Sequence, residues 1–225
     1  MTFLNQPRPK VFAAALLAMG VLVSVASASH SWGGYHWART TPQFTLKLGD
    51  NLSSADWKAH LSQTSSDWNS GNSAVLTAIV AGSSLKRCSM VAGTTQVCNA
   101  SYGNNGWLGL ASINITGTHI TQGSAKMNDS YFNTVTYNNT NEREHVMCQE
   151  VAHTFGLDHQ STDGGSLNTC MDYFSNTGAN AGSTLSTKPN AHDFEELHII
   201  YSHLDTTSTV ALMPATKPST AAQEG

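Results

Sequence analysis

Apolar and polar residues alternate over residues 43–49 (QFTLKLG), the period of a strand with one buried face. The period changes over 53–71 (SSADWKAHLSQTSSDWNSG). There Trp57, Leu61 and Trp68 share a helical face, Ser53 or Ser54 stands at the N-cap, Asp56 follows in the first turn and Gly71 ends the run. The unbroken apolar segment 74–82 (AVLTAIVAG) predicts a strand covered on both faces, hence a central one. Further strands are expected over 94–100 (TTQVCNA), 104–115 (NNGWLGLASINI) and 119–128 (HITQGSAKMN). A helix is predicted from about Asn141 to Phe155, with Asn141 and Glu144 at capping-box spacing and Gly156 where a C-terminal glycine belongs. A last helix over 190–204 (NAHDFEELHIIYSHL) brings Phe194, Leu197, Ile200, Tyr201 and Leu204 to its buried side. Between these helices lies a Gly/Asn/Ser/Thr-rich loop, 160–189, interrupted by TCMDYF; a loop of that length in a compact domain points to function. Residues 29–42 read as an irregular, aromatic lead-in, and the whole as an α+β chain.

The ends of the chain differ from its middle. Arg8 and Lys10 precede an uncharged apolar run, 11–28, that closes on Ala26-Ser27-Ala28, the form of a secretory signal peptide cleaved after Ala28. The competing reading is an uncleaved membrane anchor, since the run is nearly long enough to span a bilayer. Residues 29–205 suffice for one domain, and 206–225, rich in Thr, Ser, Ala and Pro without a periodic pattern, are expected to be a disordered tail. Loss of Arg8 and Lys10 would take the net charge from −4 to −6. With no Lys/Arg cluster, that balance excludes nucleic acid and anionic membrane as natural partners. A secreted or cell-envelope location and a monomer are expected. Cys88, Cys98, Cys148 and Cys170 are even in number, which in an exported chain suggests two disulfides. Three pairings exist; a local Cys88–Cys98 bond would leave Cys148 with Cys170. No Cys-x-x-Cys spacing suggests a cysteine metal site.

The chemistry concentrates in CQEVAHTFGLDHQ, 148–160. On a helix, Gln149 and His153 lie four residues apart on one face and can address a single metal ion. Glu150 stands one residue on, beside the ion, where a carboxylate can take a proton from water. Gly156 lets the chain reverse and bring His159 round as a third ligand. Three protein ligands and a water make a catalytic zinc site. Glu-x-x-His also occurs in di-iron helical bundles, but those need two such motifs on four long helices, which this strand-rich chain lacks.

QEVAHTFGLDH resembles the long signature of the metzincin clan of zinc endopeptidases, most nearly its matrixin-like members, with Gln149 in place of the first histidine. Met171 in TCMDYF is placed as that clan's Met-turn is, and Tyr173 stands where some members carry a tyrosine that steadies the transition state. The similarity spans roughly 40–204, with its specific part at 149–173. It implies a twisted mixed sheet above an active-site helix, a closing C-terminal helix, Zn2+ as cofactor, and protein or peptide substrates extended along an edge strand. It also implies Gln149, His153 and His159 as metal ligands, Glu150 as general base and Tyr173 as a second catalytic group, with Met171 as an apolar floor. No cysteine-switch segment is visible.

Glutamine is a weaker donor to zinc than imidazole. Gln149 could ligate through its oxygen, stand back and leave a two-histidine site completed by water, or yield to another residue. His145 is eight residues from His153 on a helix, about 12 Å, so those two cannot share an ion. Asp163, His119 and His192 are alternatives without a spacing argument. The rival functional reading is an inactive secreted protein that binds peptides or glycans in the same cleft; a third is an envelope protein whose metal only stabilises the fold. Asn51, Asn99, Asn114, Asn128 and Asn138 begin glycosylation sequons, which matter only in a eukaryotic secretory host.

Overall fold

The computed structural model describes residues 29–83 and 88–211. The expected signal peptide, 1–28, and residues 212–225 lie outside the described residues. Ten elements follow in order: β1 (His36–Trp37), β2 (Phe44–Asn51), α1 (Ala55–Asn69), β3 (Val75–Ala81), β4 (Thr94–Ala100), β5 (Gly109–Thr116), β6 (His119–Asn128), α2 (Asp129–Phe132), α3 (Thr140–His153) and α4 (Ala191–Ile200). A 3-10 turn at Gly178–Asn180 interrupts the long loop before α4. Among the described residues no helix is long and apolar enough to cross a membrane.

The strands form one mixed sheet in the order β3-β2-β4-β6, all parallel, with β1 pairing parallel to the start of β6 and β5 running antiparallel beside it. α1 packs on α3 and β3, while α3 packs on β5 and β6. The core between sheet and helices is built from Trp37, Leu46, Leu48, Trp68, Met127 and Phe155, all fully buried. The α+β class, mixed sheet, long motif helix and closing helix are as expected.

Several local expectations are corrected. The apolar run 74–82 is not central: β3 pairs with β2 alone, and Ile79 is 41% exposed on its outer side. The central position belongs to β4, whose sequence is polar. Its buried side chains are satisfied in place, Thr95 Oγ1 donating to Thr154 Oγ1 (3.0 Å) and Gln96 Nε2 to Thr94 Oγ1 (2.9 Å). The expected strand over 104–115 begins only at Gly109. Residues 103–107 are instead held as a loop by the Asn128 amide, which donates to the Gly103 and Trp107 carbonyls.

The cap of α3 also differs. Asn139 is extended, and its side chain accepts from the Glu142 N–H, so it is the N-cap; Asn141 lies inside the helix and donates to the Ala181 carbonyl. Glu144 is turned to α1, where it meets His60 Nδ1 at 2.5 Å. α4 carries a full capping box from Asn190 and Asp193 and ends before Leu204, which is 53% exposed. Residues 206–211, expected in the tail, return to the domain: the Thr209 N–H donates to the Ala38 carbonyl and the Ala211 N–H to that of Gly93. Both disulfides form, Cys88–Cys98 and Cys148–Cys170, and the second ties α3 to the segment around Met171.

Candidate active site

The motif sits where α3 ends and the chain reverses. Gly156 has φ +98°, and a Cβ there would meet the Tyr35 carbonyl oxygen at 2.0 Å, so only glycine permits the turn. Each carbonyl beyond the helix end has a donor. Trp37 Nε1 donates to Thr154 O (2.8 Å), the Tyr201 hydroxyl to Phe155 O (2.8 Å) and the Trp32 N–H to Gly156 O (2.7 Å). These bonds come from the N-terminal segment and the end of α4, so the turn is fixed by distant parts of the chain. His153 Nδ1 donates to Leu157 O (2.8 Å), which leaves its Nε2 as a lone pair. His159 Nδ1 lies 3.3 Å from the Asp158 carboxylate. The two Nε2 atoms face each other at 3.1 Å.

Glu150 is buried on the same helix, at the sheet. Gly109 at the start of β5 admits it: a Cβ on Gly109 would fall 2.4 Å from Glu150 Cγ and 2.6 Å from Val146 Cγ1. Burial lifts the Glu150 pKa to about 8, against the opposing hydrogen bond from the Ala111 backbone. Burial lowers His153 to about 4, assisted by the nearby charge of His159. His159 is also lowered, chiefly by burial and against the pull of Asp158. Both imidazoles are thus neutral near pH 7, the form that offers a lone pair to a metal.

Gln149 does two things at once. Its Nε2 donates to the carbonyls of Cys170 (2.8 Å) and Asp172 (2.9 Å), the residues flanking Met171. Both amide protons are used, and among the described residues its oxygen takes no hydrogen bond. Met171 is fully buried. Tyr173 is 50% exposed, with its ring edge-on to that of His159 at 4.5 Å. Gln149, Glu150, His153, His159 and Tyr173 all line one cleft of about 610 Å³.

The donor set fits zinc. Zn–N bonds of 2.0–2.1 Å in tetrahedral geometry separate two ligand nitrogens by about 3.3 Å, close to the 3.1 Å between the histidines. The Nδ1 partners, a backbone carbonyl and a carboxylate, are the outer contacts that orient metal-binding imidazoles. His145 also lines the cleft, but its Nε2 meets the Asp172 carbonyl (3.0 Å) and joins Gln149 in holding that segment. None of the substitutes Asp163, His119 and His192 lines the cleft. Asp163 closes a local turn through the Gly165 N–H, His192 stacks near His30, and His119 contacts Asp205.

Sequence reading missed Gly109, Asp158 and Trp32, whose ring stands 5.8 Å from that of His153. Asp158 was legible as the carboxylate adjoining His159; Gly109 and Trp32 carry no sequence signal, because their role comes from elements that approach α3 only in the fold.

No protein-family model and no curated protein matches the chain. Among solved structures it is similar to high choriolytic enzyme 1, a hatching-enzyme zinc protease from the medaka fish Oryzias latipes. That match has 10% identity and a TM-score of 0.42, over 76% of this chain and 95% of the other. It is also similar to myroilysin, at 11% identity and a TM-score of 0.42, over 74% and 96% of the two chains.

Proposed function

We propose that residues 29–205 form the catalytic domain of a secreted, zinc-dependent endopeptidase that cleaves protein or peptide substrates. The observation that carries this reading is the pair of bare imidazole Nε2 atoms, 3.1 Å apart, in a cleft that also holds the buried carboxyl of Glu150. His153 and His159 would hold the ion, with the unpaired oxygen of Gln149 as third donor. When bound, zinc supplies Lewis acidity to the scissile carbonyl and makes an attacking water more acidic. Glu150 accepts the proton of that water and returns it to the leaving amine. The half-exposed Tyr173 offers its hydroxyl to the carbonyl oxygen as charge develops there. β5 pairs with β6 alone among the described strands, so an extended peptide can lie along its open edge above α3. The two disulfides suit an oxidising, extracellular or envelope compartment.

The test is cleavage of a denatured protein with and without chelator. Activity should vanish on chelation and return with zinc, and Glu150→Gln should retain zinc while losing at least a hundredfold in rate. Wild type that binds zinc yet is as inert as Glu150→Gln would make this a peptide- or glycan-binding protein instead.

A further inference from the structure

A second group of histidines gathers on the far side of the turn, away from the cleft. Asp205 lies just beyond α4, with its backbone N–H on the Arg39 carbonyl (2.8 Å) and its Oδ2 accepting the Arg39 N–H (2.9 Å). Its other oxygen, Oδ1, is surrounded by three imidazole Nε2 atoms: His119 at 3.1 Å, His203 at 3.6 Å and His36 at 3.7 Å. His36 and His203 also face each other, Nε2 to Nε2, at 3.3 Å. The ligand atoms of His36, His203 and Asp205 all lie within 4.8 Å of one another. The rings of His119 and His203 each stand edge-on to His36, with centroids 4.9 Å away.

We propose that His36, His203 and Asp205 form a second metal site that takes zinc or a similar borderline divalent cation, with His119 holding the Asp205 carboxylate beside it. Three features argue for a cation. His36 Nδ1 lies 3.0 Å from the Gly34 carbonyl; donation there leaves Nε2 as an acceptor aimed at a carboxylate oxygen and another imidazole. Acceptors that converge in this way need a proton or a metal cation between them. His36 and His203 Nε2 stand 3.7 and 3.6 Å from Oδ1 and 3.3 Å from each other, close to the edge of about 3.3 Å expected for a tetrahedral zinc. The backbone is set beforehand, since His36 and His119 are register partners between β1 and β6, and Asp205 is clamped to Arg39.

Two imidazoles and one carboxylate give three protein ligands, and a water would complete four-coordination. His36 is buried and Asp205 partly buried, with side chains 8% and 9% exposed, while His203 at 53% leaves a path for the ion. The ion would staple β1 to the segment after α4, and the start of β6 joins them through the His119 contact with Asp205. These same segments carry Trp37 and Tyr201, the donors that fix the turn between His153 and His159. An ion bound only by the folded chain stabilises it by mass action.

The site stands independently of the peptidase reading, and the experiment separates them. Protein carrying His153→Gln and His159→Gln is stripped with chelator, given zinc alone, desalted, and analysed for metal and thermal melting. It should retain about one zinc per chain, with a raised melting temperature. Adding His203→Gln should weaken retention by roughly a hundredfold or more and abolish the thermal shift. In an otherwise wild-type chain, which keeps the cleft histidines, His203→Gln should hold one zinc fewer than wild type. Equal zinc content with and without His203→Gln in folded protein, or no zinc retained by the folded double variant, overturns the proposal.

Discussion

Glu150→Gln deletes a buried carboxyl whose pKa rises from 4.5 to about 8 on folding, and this should reshape the pH dependence of stability in the metal-free protein. Between those values the folded chain holds a proton that the unfolded chain has released. Rising pH therefore favours unfolding, by about 1.4 kcal/mol per pH unit. His153 acts with the opposite sign. Its pKa falls from 6.5 to about 4, so in that window the unfolded chain binds the extra proton and stability rises with pH at the same slope. The two slopes offset each other from pH 4.5 to 6.5. Above 6.5 Glu150 acts without His153, and its contribution declines by about 2 kcal/mol by pH 8, being roughly 1.5 units at 1.4 kcal/mol each. Glu150→Gln should remove that decline and, with the His153 slope left uncancelled, gain roughly 3 kcal/mol relative to wild type between pH 4.5 and 6.5. Other groups titrate in both chains and drop out of the difference. Urea unfolding of chelator-treated, disulfide-intact protein across pH 4.5–8 measures it. Parallel stability curves for the two proteins would refute the reasoning.

Gly109→Ala should cut peptidase activity at least tenfold and cost about 1–3 kcal/mol by urea unfolding, because its Cβ would lie 2.4 Å from Glu150 Cγ and 2.6 Å from Val146 Cγ1. Removing the Cys148–Cys170 bond with paired serines releases a link across a sequence separation of 22 and should cost about 3 kcal/mol, measured by denaturant unfolding of non-reduced wild type against the variant. Gln149→His should tighten zinc retention in a chelator competition by tenfold or more. It should also lower metal-free stability by about 1 kcal/mol through the Cys170 carbonyl, since the Asp172 carbonyl keeps its bond from His145; unchanged retention places Gln149 outside the ligand set.

The sequence showed the site best where spacing along one helix fixes geometry. Gln149, Glu150, His153 and Gly156 are local in the chain, and helical periodicity alone puts them at the reversal that carries His159 back. Hydrophobic pattern misled where hydrogen bonding replaces hydrophobicity. β4 is central yet reads as polar, because Thr94 and Gln96 bond each other along the strand and Thr95 finds Thr154 only in the assembled core; the apolar β3 lies at the sheet edge. The α3 cap shifted from Asn141 to Asn139 because Glu144, the other half of the expected box, is drawn to His60 of α1. The group around Asp205 left no sequence signal at all. Its members come from β1, β6 and the stretch beyond α4, and only sheet register and the return of the chain to Arg39 bring them together.

At position 149 a glutamine can do what a histidine cannot. A histidine that turns one nitrogen to a metal has a single N–H left to give, and so can hold one carbonyl. Glutamine has two N–H groups, and here both are used, on the carbonyls of Cys170 and Asp172. The segment they hold carries the disulfide to α3, the buried Met171 and, one residue on, Tyr173 against His159. His145, one turn earlier on α3, fastens the same Asp172 carbonyl. In the proposed zinc site Gln149 would therefore exchange donor strength toward the ion for a second anchor on the wall of the cleft. Its committed amide protons also fix which end of the side chain is free, since among the described residues only the oxygen is left without a partner.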